Sequence, residues 1–454
     1  MPTPRADRTL LAGWGGGPGV PADLVQAAGV EALRAVVTDR SAERVRGGAI
    51  ARGMGRSYGD AAQRRDGLVL DTTSLSSFEL DSSRGILTTE AGATLARLLA
   101  AVAPVGWVLP VVPGTQHVTV GGAIAADIHG KNHGAVGTFG RHVQSLGLLT
   151  ADGEVVEVSP DRDPDLFNAT LGGMGLTGVI VWARIELAPL RSPSLLVDTD
   201  RIDGLDEALA ALLVPGGSHR VAWLDLLGPR PVRGIVTRAE PLAEAEAPES
   251  RARCTVATRV AVPGWWPGGL LRPSAVRAYN AYRFWRAPRR ERARREPFGA
   301  HMFPLDALGD WPRLYGRSGF VQYQLVLPRG READLEVLIG RLRSSKVPCY
   351  LAVLKDFGPA NAAHLSFPLA GWTLALDMPR AAPGLAALLS GFDELVTEAG
   401  GRVYLAKDAR LRPDAVAAMY PRLDEWRAVR DRVDPERLWC SDLALRTGLI
   451  GGRR

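Results

Sequence analysis

The chain has 454 residues, about three times the roughly 150 of a typical domain, so two or three domains are expected, with a core that needs no disulfide staples. Hydrophobic residues at 46% against 23% charged exclude wholesale disorder, and three dispersed cysteines (Cys254, Cys349, Cys440) exclude a disulfide framework or a zinc knuckle; no metal site is expected. The net charge of +6 is concentrated: between Arg272 and Glu296 nine arginines stand against two glutamates, a local +7 on a nearly neutral body, which is not the charged face of a nucleic-acid-binding domain.

In chain order, MPTPRADRTLLAGWGGG lacks a signal peptide's apolar centre, and no later run approaches the roughly 18 to 20 apolar residues of a membrane span. The chain is therefore expected in the cytoplasm or peripheral at the inner membrane, with the periplasmic face left open. Strands are expected at residues 49–52, 67–71 and 85–89, and TLARLLAAV at 94–102 has helical spacing. Residues 142–150 and 154–159 flank the turn Ala151-Asp152-Gly153 and predict a hairpin, with a further strand at 178–187. The pattern changes around residues 189–193. Beyond it, amphipathic helices at 205–213, 331–344 and 385–399 alternate with strands at 221–226, 320–327, 349–354 and 372–376, a second α+β layer with its own sheet. Residues 239–251 and the arginine segment read as loops or mobile helices, and from Val403 a strand leads into a helix ending near Val433.

Chemistry concentrates in three glycine-rich segments: ARGMGRSYGD (51–60), PGTQHVTVGGAIAADIHGKNH (113–133) and GGMGLTG (172–178). Glycines after strands let backbone N–H groups approach a pyrophosphate, and Arg56 and Ser57 add donors. Any one segment alone reads as a tight turn; three together, with His129 and Lys131 among them, point to a nucleotide cofactor. A Walker loop is absent, and residues 53–59 lack the Rossmann spacing.

These segments resemble the flavin domain of the vanillyl-alcohol-oxidase superfamily. Within it the chain is similar to the oxidase subunits of decaprenylphosphoryl-β-D-ribose 2′-epimerases, through FVQYQLVLP (320–328), FGPANAAHLSFPLAGW (357–372), VYLAKDAR (403–410) and MYPRLDEW (419–426) as well. The resemblance implies an α+β, PCMH-type fold: an FAD-binding domain from residues 1–190 plus 402–454, and an inserted α+β substrate domain at 191–401 carrying a mobile basic loop at about 264–300. Carried over by position, the flavin contacts are Arg52, Gly53, Met54, Gly55, Arg56, Ser57, Tyr58, Gly59, Gly114, Thr119, Val120, Gly121, Gly122, Ala126, Asp127, Ile128, His129, Ile180 and Tyr404. Many relatives attach flavin through a histidine in the first glycine loop; Arg56 holds that place here, which implies non-covalent FAD.

The resemblance further implies hydride transfer from C2 of a polyprenyl-phosphoryl pentose to flavin N5, the first half of a 2′-epimerisation for cell-wall arabinan, with an NADH-dependent reductase as partner. The alternative is an alditol or aldonolactone oxidase acting on a soluble sugar. Lys407 is the preferred contact of the reacting hydroxyl, with His129 and Lys131 as further catalytic candidates. Lys131, Tyr315, Gln322, Gln324, Lys355, Thr373, Lys407 and Trp223 are expected to line the sugar pocket; Lys355 reads equally as a solvated surface charge. Gln322 and Gln324, two apart on a strand, place both amides on one side. Mycobacterial-type members have an Asn-Ile-Cys run after the GW pair, whereas this chain reads Thr373-Leu374-Ala375, losing the cysteine that covalent nitroaromatic inhibitors attack. The arginine segment, with Trp265, Trp266, Leu270 and Leu271 upstream, reads either as a membrane contact receiving a polyprenyl phosphate or as a solvated loop.

Overall fold

Short runs of β-branched, leucine and aromatic residues between turns build three large sheets and two two-stranded ones, seen in the computed structural model, which describes residues 6–39, 47–228, 231–242, 253–266 and 271–451. The first sheet has four strands in the order Ala6–Leu11, Val20–Gln26, Leu68–Asp71, Ala49–Arg52; the last three are parallel. The second is antiparallel, in the order Phe78–Asp81, Ile86–Glu90, Val179–Glu186, Val143–Leu149, Val155–Val158. Its last two strands form the hairpin expected from the Ala151-Asp152-Gly153 turn, with Gly153 at φ 88°.

The third sheet has eight antiparallel strands in the order Arg290–Pro297, Ser194–Ile202, Arg233–Pro241, His219–Asp225, Leu351–Phe357, Gly371–Pro379, Phe320–Pro328, Arg402–Val403. Alternation along its strands separates two faces. Ala222, Leu224, Leu354, Leu374, Leu376 and Leu325 enter the largest core, shared with the helices Leu205–Leu213, Glu332–Ser344 and Leu385–Glu398. The middle helix buries Leu335, Leu338, Ile339 and Leu342, the i, i+3, i+4, i+7 stripe of an amphipathic helix, at about 1.5–3 kcal/mol for each large apolar side chain buried. The other face looks toward the glycine segments.

The arginine segment differs from its expected form. It contains the helix Pro273–Arg286, the edge strand Arg290–Pro297 and the short helix Phe298–Met302. Pro273 occupies the first helical turn, and Val276, Asn280 and Phe284 fall on one buried stripe. Arg292 pairs with Asp200 at 2.7 Å and Asp198 at 3.7 Å on the neighbouring strand, so part of the basic run is neutralised by carboxylates distant in sequence. Residues 243–251 and 267–270, Leu270 included, lie outside the described residues.

The C-terminal segment returns to the first sheet: Ala49 N–H donates to Leu438 O and Cys440 N–H to Ala49 O, both at 2.8 Å. It is clasped by the fully buried pair Arg430–Asp434 (2.8 Å), whose carboxylate also accepts from the N–H groups of Leu438 and Trp439. A buried ion pair with both partners further hydrogen-bonded is costly to break from one side, by about 3–5 kcal/mol. Among the described residues, no helix is long and apolar enough to cross a membrane.

Candidate active site

A cavity of about 540 Å³, within the usual size of small-molecule sites, lies between the glycine segments and the free face of the third sheet. On the glycine side the wall is backbone. A methyl group at Gly53 would collide with Thr119 Oγ1, so the first loop and the start of the second segment touch. Thr119 caps the helix Val120–Ala125 by accepting from Gly122 N–H at 3.2 Å. Gly55 has φ +60°, where a side chain is strained. The loop is held from both ends of the chain, by Trp14 N–H to Ser57 O (2.7 Å) and Tyr58 N–H to Ala406 O (3.0 Å). Arg56 lies 3.5 Å over the Trp14 ring and donates from Nε to His117 O, while its Nη1 is buried without a partner.

The opposite wall is made of side chains. Register aligns Gln322 with Asp377, Gln324 and Val353 with Ala375, Lys355 with Thr373, and Trp223 with both Val353 and Ile235. Directly opposed residues of an antiparallel pair share a face, so this set lies on the cavity side of five consecutive strands, with Thr373 and Asp377 behind the glutamines. Trp223, Ile235, Gln322, Gln324, Val353, Lys355 and Ala375 all line it.

The polar groups converge where the two walls meet. His129 is boxed by Phe357, Tyr404 and Phe367, with ring centroids at 4.7, 5.5 and 5.9 Å. Burial, then the nearby Lys355 charge, hold its pKa well below the usual imidazole value, so it is neutral. Lys355 Nζ lies 3.4 Å from Nδ1, and the Gln324 amide lies 3.0 Å from Nε2 and 3.1 Å from Thr373 Oγ1. A neutral imidazole has a single N–H. Gln324 Nε2 donates to Thr373 Oγ1, and because the imidazole has one N–H it accepts at only one nitrogen, so the His129 tautomer is coupled to whether Gln324 or Lys355 donates to it.

Lys407 Nζ stands 3.8 Å from the centre of the Tyr58 ring, on a turn in which the N–H groups of Lys407 and Asp408 both donate to Tyr404 O (2.9 and 3.0 Å). That turn, rather than a continuing strand, brings Tyr404 and Lys407 to the same cavity although they are three residues apart. Burial lowers Lys407 to about 7, with Asp377 opposing the shift, and likewise lowers Lys131 to about 7 and Lys355 to about 8. Asp377, raised by burial to about 7, accepts from Gln322 Nε2 at 2.6 Å, and its second oxygen has no partner. Lys131 donates to His301 O.

Most of the expected site residues line this cavity, but six do not. Arg52 sends its guanidinium away, to Ala62 O and Ala12 O (2.8 Å each), and props the loop beneath Gly55. Gly59 packs on Asp408 O, Val120 is in the core of the second sheet, and Asp127 accepts from Gly140 N–H, Asn361 and Ser366. Tyr315 stacks on Phe320 (4.4 Å) behind Trp311, and Thr373 acts on Gln324 rather than on the cavity. Sequence reasoning missed Trp14, Arg283, Glu296, His301 and Asp306, which line the cavity, and Asp377 behind Gln322. Asp377 was findable: it continues the alternation Thr373, Ala375, Asp377.

Comparison with known proteins gives a consistent assignment. A family model for an FAD binding domain matches residues 21–159, and one for D-arabinono-1,4-lactone oxidase matches residues 377–447. The chain is 38% identical to decaprenylphosphoryl-beta-D-ribose oxidase of Mycolicibacterium smegmatis over 97% of both chains. It is 41% identical to an uncharacterized protein of Streptomyces coelicolor over 78% of this chain and all of that one, and 30% identical to cytokinin dehydrogenase 2 of rice over 37% and 33% respectively. The cavity fits a dinucleotide flavin: glycine backbone where a pyrophosphate must approach closely, the buried unpartnered Arg56 Nη1 beside it, and Ile180, Ala126 and Tyr404 as an apolar seat.

Proposed function

The chain belongs to the family of FAD-dependent decaprenylphosphoryl-β-D-ribose oxidases, enzymes acting on CH–OH groups, and from that membership we propose that it oxidises the C2 hydroxyl of a polyprenyl-phosphoryl pentose to the 2-keto sugar. Bound FAD supplies the hydride acceptor, its N5. The observation that carries the reading is the meeting of Lys407, the Lys355–His129–Gln324 chain and Gln322 at one end of the cavity. Lys407, with its pKa brought near neutrality by burial, takes the hydroxyl proton. The Tyr58 face beneath it favours the ammonium that results. Gln322 and Gln324 read ring hydroxyls, and the Lys355–His129 contact is coupled to the Gln324–His129 contact through the imidazole tautomer. A 2-keto product must be reduced again to complete an epimerisation, so an NADH-dependent keto-sugar reductase is the partner, feeding arabinan of the cell wall.

The match of residues 377–447 to a D-arabinono-1,4-lactone oxidase model favours the second reading, oxidation of a soluble sugar. Anaerobic flavin bleaching separates the two. Reduction by a farnesyl-phosphoryl riboside but not by free pentoses, alditols or aldonolactones is expected; the opposite pattern would replace the first reading with the second.

A further inference from the structure

The sheet end of the cavity has a cation that the proposed chemistry does not use. Arg283, from the helix Pro273–Arg286, lines the cavity beside Trp223, Ile235 and Glu296, far along the sheet from Gln322 and Gln324. Its guanidinium carbon stands 4.5 Å above the Trp223 ring and its side chain hydrogen-bonds to Tyr279, while among the described residues it forms no ion pair with a carboxylate. The other cations lining the cavity have partners on its inner walls, Arg56 with Trp14 and His117 O, Lys131 with His301 O, Lys355 with His129, Lys407 over Tyr58, whereas Arg283 is held only by the Trp223 ring and Tyr279 of its own helix. Glu296, a carboxylate of the same wall, is taken by His301 Nδ1 at 3.2 Å.

Arg283, Ile235 and Glu296 also border a second depression of about 380 Å³ on the outer surface, rimmed by Tyr279, Tyr282, Arg286 and Arg294. Arg283, Ile235 and Glu296 therefore stand between the cavity and the outer depression. Tyr279, Tyr282 and the adjoining Trp285 are 59%, 60% and 65% exposed on one helix. Exposed rings beside arginines suit a ligand that is anionic at one point and apolar beyond it.

We propose that Arg283 binds the phosphodiester of the carrier-linked sugar, and that the carrier chain leaves the cavity across Tyr279 and Tyr282. The proposal rests on the substrate class proposed above. With the sugar's C2 beside Lys407, a C1 substituent directed away from the flavin side runs toward the end of the cavity where Arg283 lies. A guanidinium held by an aromatic ring and lacking a carboxylate donates to a phosphate in a fixed orientation.

The test uses the FAD-loaded enzyme with two readouts. Farnesyl phosphate binding, followed by the flavin difference spectrum, requires no turnover. Arg283→Ala should weaken it roughly 10- to 100-fold, the usual worth of a charge-assisted hydrogen bond, and Arg283→Lys should restore part of the affinity. Inorganic phosphate should bind far more weakly than farnesyl phosphate, since the chain contributes; equal affinities would overturn the exit route. In steady state, Arg283→Ala should raise KM for farnesyl-phosphoryl riboside by a similar factor and change KM for methyl riboside less than twofold. Unchanged farnesyl phosphate affinity, or equal KM changes for both substrates, would overturn the assignment. Flavin content reports whether each variant has folded. Wild-type enzyme that binds farnesyl phosphate through Arg283 without oxidising any phosphoryl pentose would overturn the proposed reaction and leave the anion site standing.

Discussion

The two walls of the cavity are built on different principles. The glycine wall presents backbone, positioned by close approaches such as Gly53 against Thr119, and Arg56 is among its few charged side chains. The sheet wall presents side chains in cross-strand register, where each strand offers every second residue. A backbone wall can hold any ligand of the right outline, and substitutions there act by steric exclusion. A side-chain wall can be rewritten residue by residue while the sheet persists. On the proposed reading, cofactor binding is tied to the loop geometry and substrate choice to the alternation pattern.

The largest effect should come from the backbone wall. Gly53→Val should leave the purified protein without the absorbance of bound flavin while far-UV circular dichroism stays native-like, because the new side chain meets Thr119. A yellow Gly53→Val protein would show that this approach is not what shapes the site. Next is Lys407→Ala, which should keep FAD but slow flavin reduction by substrate roughly 10²- to 10³-fold, within the range for loss of a general base. The same role sets the pH dependence. The neutral amine is the active form, so wild-type reduction should rise with pH through about 7 and then level off, a limb that Lys407→Ala loses. Near-normal bleaching at saturating substrate by that variant would remove Lys407 from the mechanism and make His129 the first candidate.

Lys355→Ala removes the contact to His129 Nδ1 and leaves Gln324 as the polar partner of the imidazole. It should chiefly raise KM, by several-fold, with a smaller change in kcat; a kcat loss matching that of Lys407→Ala would make it a second proton-handling group. The smallest effects are expected nulls. Acid precipitation should release all flavin to the supernatant, as the non-covalent binding expected from Arg56 in the first glycine loop requires, and pelleted flavin would refute it. Nitroaromatic inhibitors of the benzothiazinone type should cause no intact-mass shift, because Ala375 lines the cavity without a thiol and the three cysteines are buried elsewhere.

The same division decided what the sequence disclosed. The strands at 320–328 and 371–379 are dense in β-branched, leucine and aromatic residues, and the glycine clusters mark themselves, so both were legible. The edge strand Arg290–Pro297 was not, because its stability comes from Asp198 and Asp200 across the sheet rather than from its own residues. The strands Ser194–Ile202 and Arg233–Pro241 mix charged and apolar residues and were passed over for the same reason. Arg52 and Asp127 sit inside legible motifs yet serve the loops from behind, a distinction that only side-chain direction reveals. Arg283 was hidden within a charge run that gives no cue as to which arginine turns inward.

The first glycine loop leans on Ala406 O through Tyr58 and on Asp408 O through Gly59, while Asp60 pairs with Arg446 at 2.7 Å. During synthesis this loop leaves the ribosome roughly 350 residues before its supports, a delay of some tens of seconds at about 5–20 residues per second. A nascent chain therefore carries the cofactor's loop without its backing, and loading has to wait for translation to finish. Limited flavin supply would then leave a pool of finished apoprotein rather than stalled fragments, and a C-terminal fusion that strains residues 430–446 would lower flavin occupancy before it lowered yield.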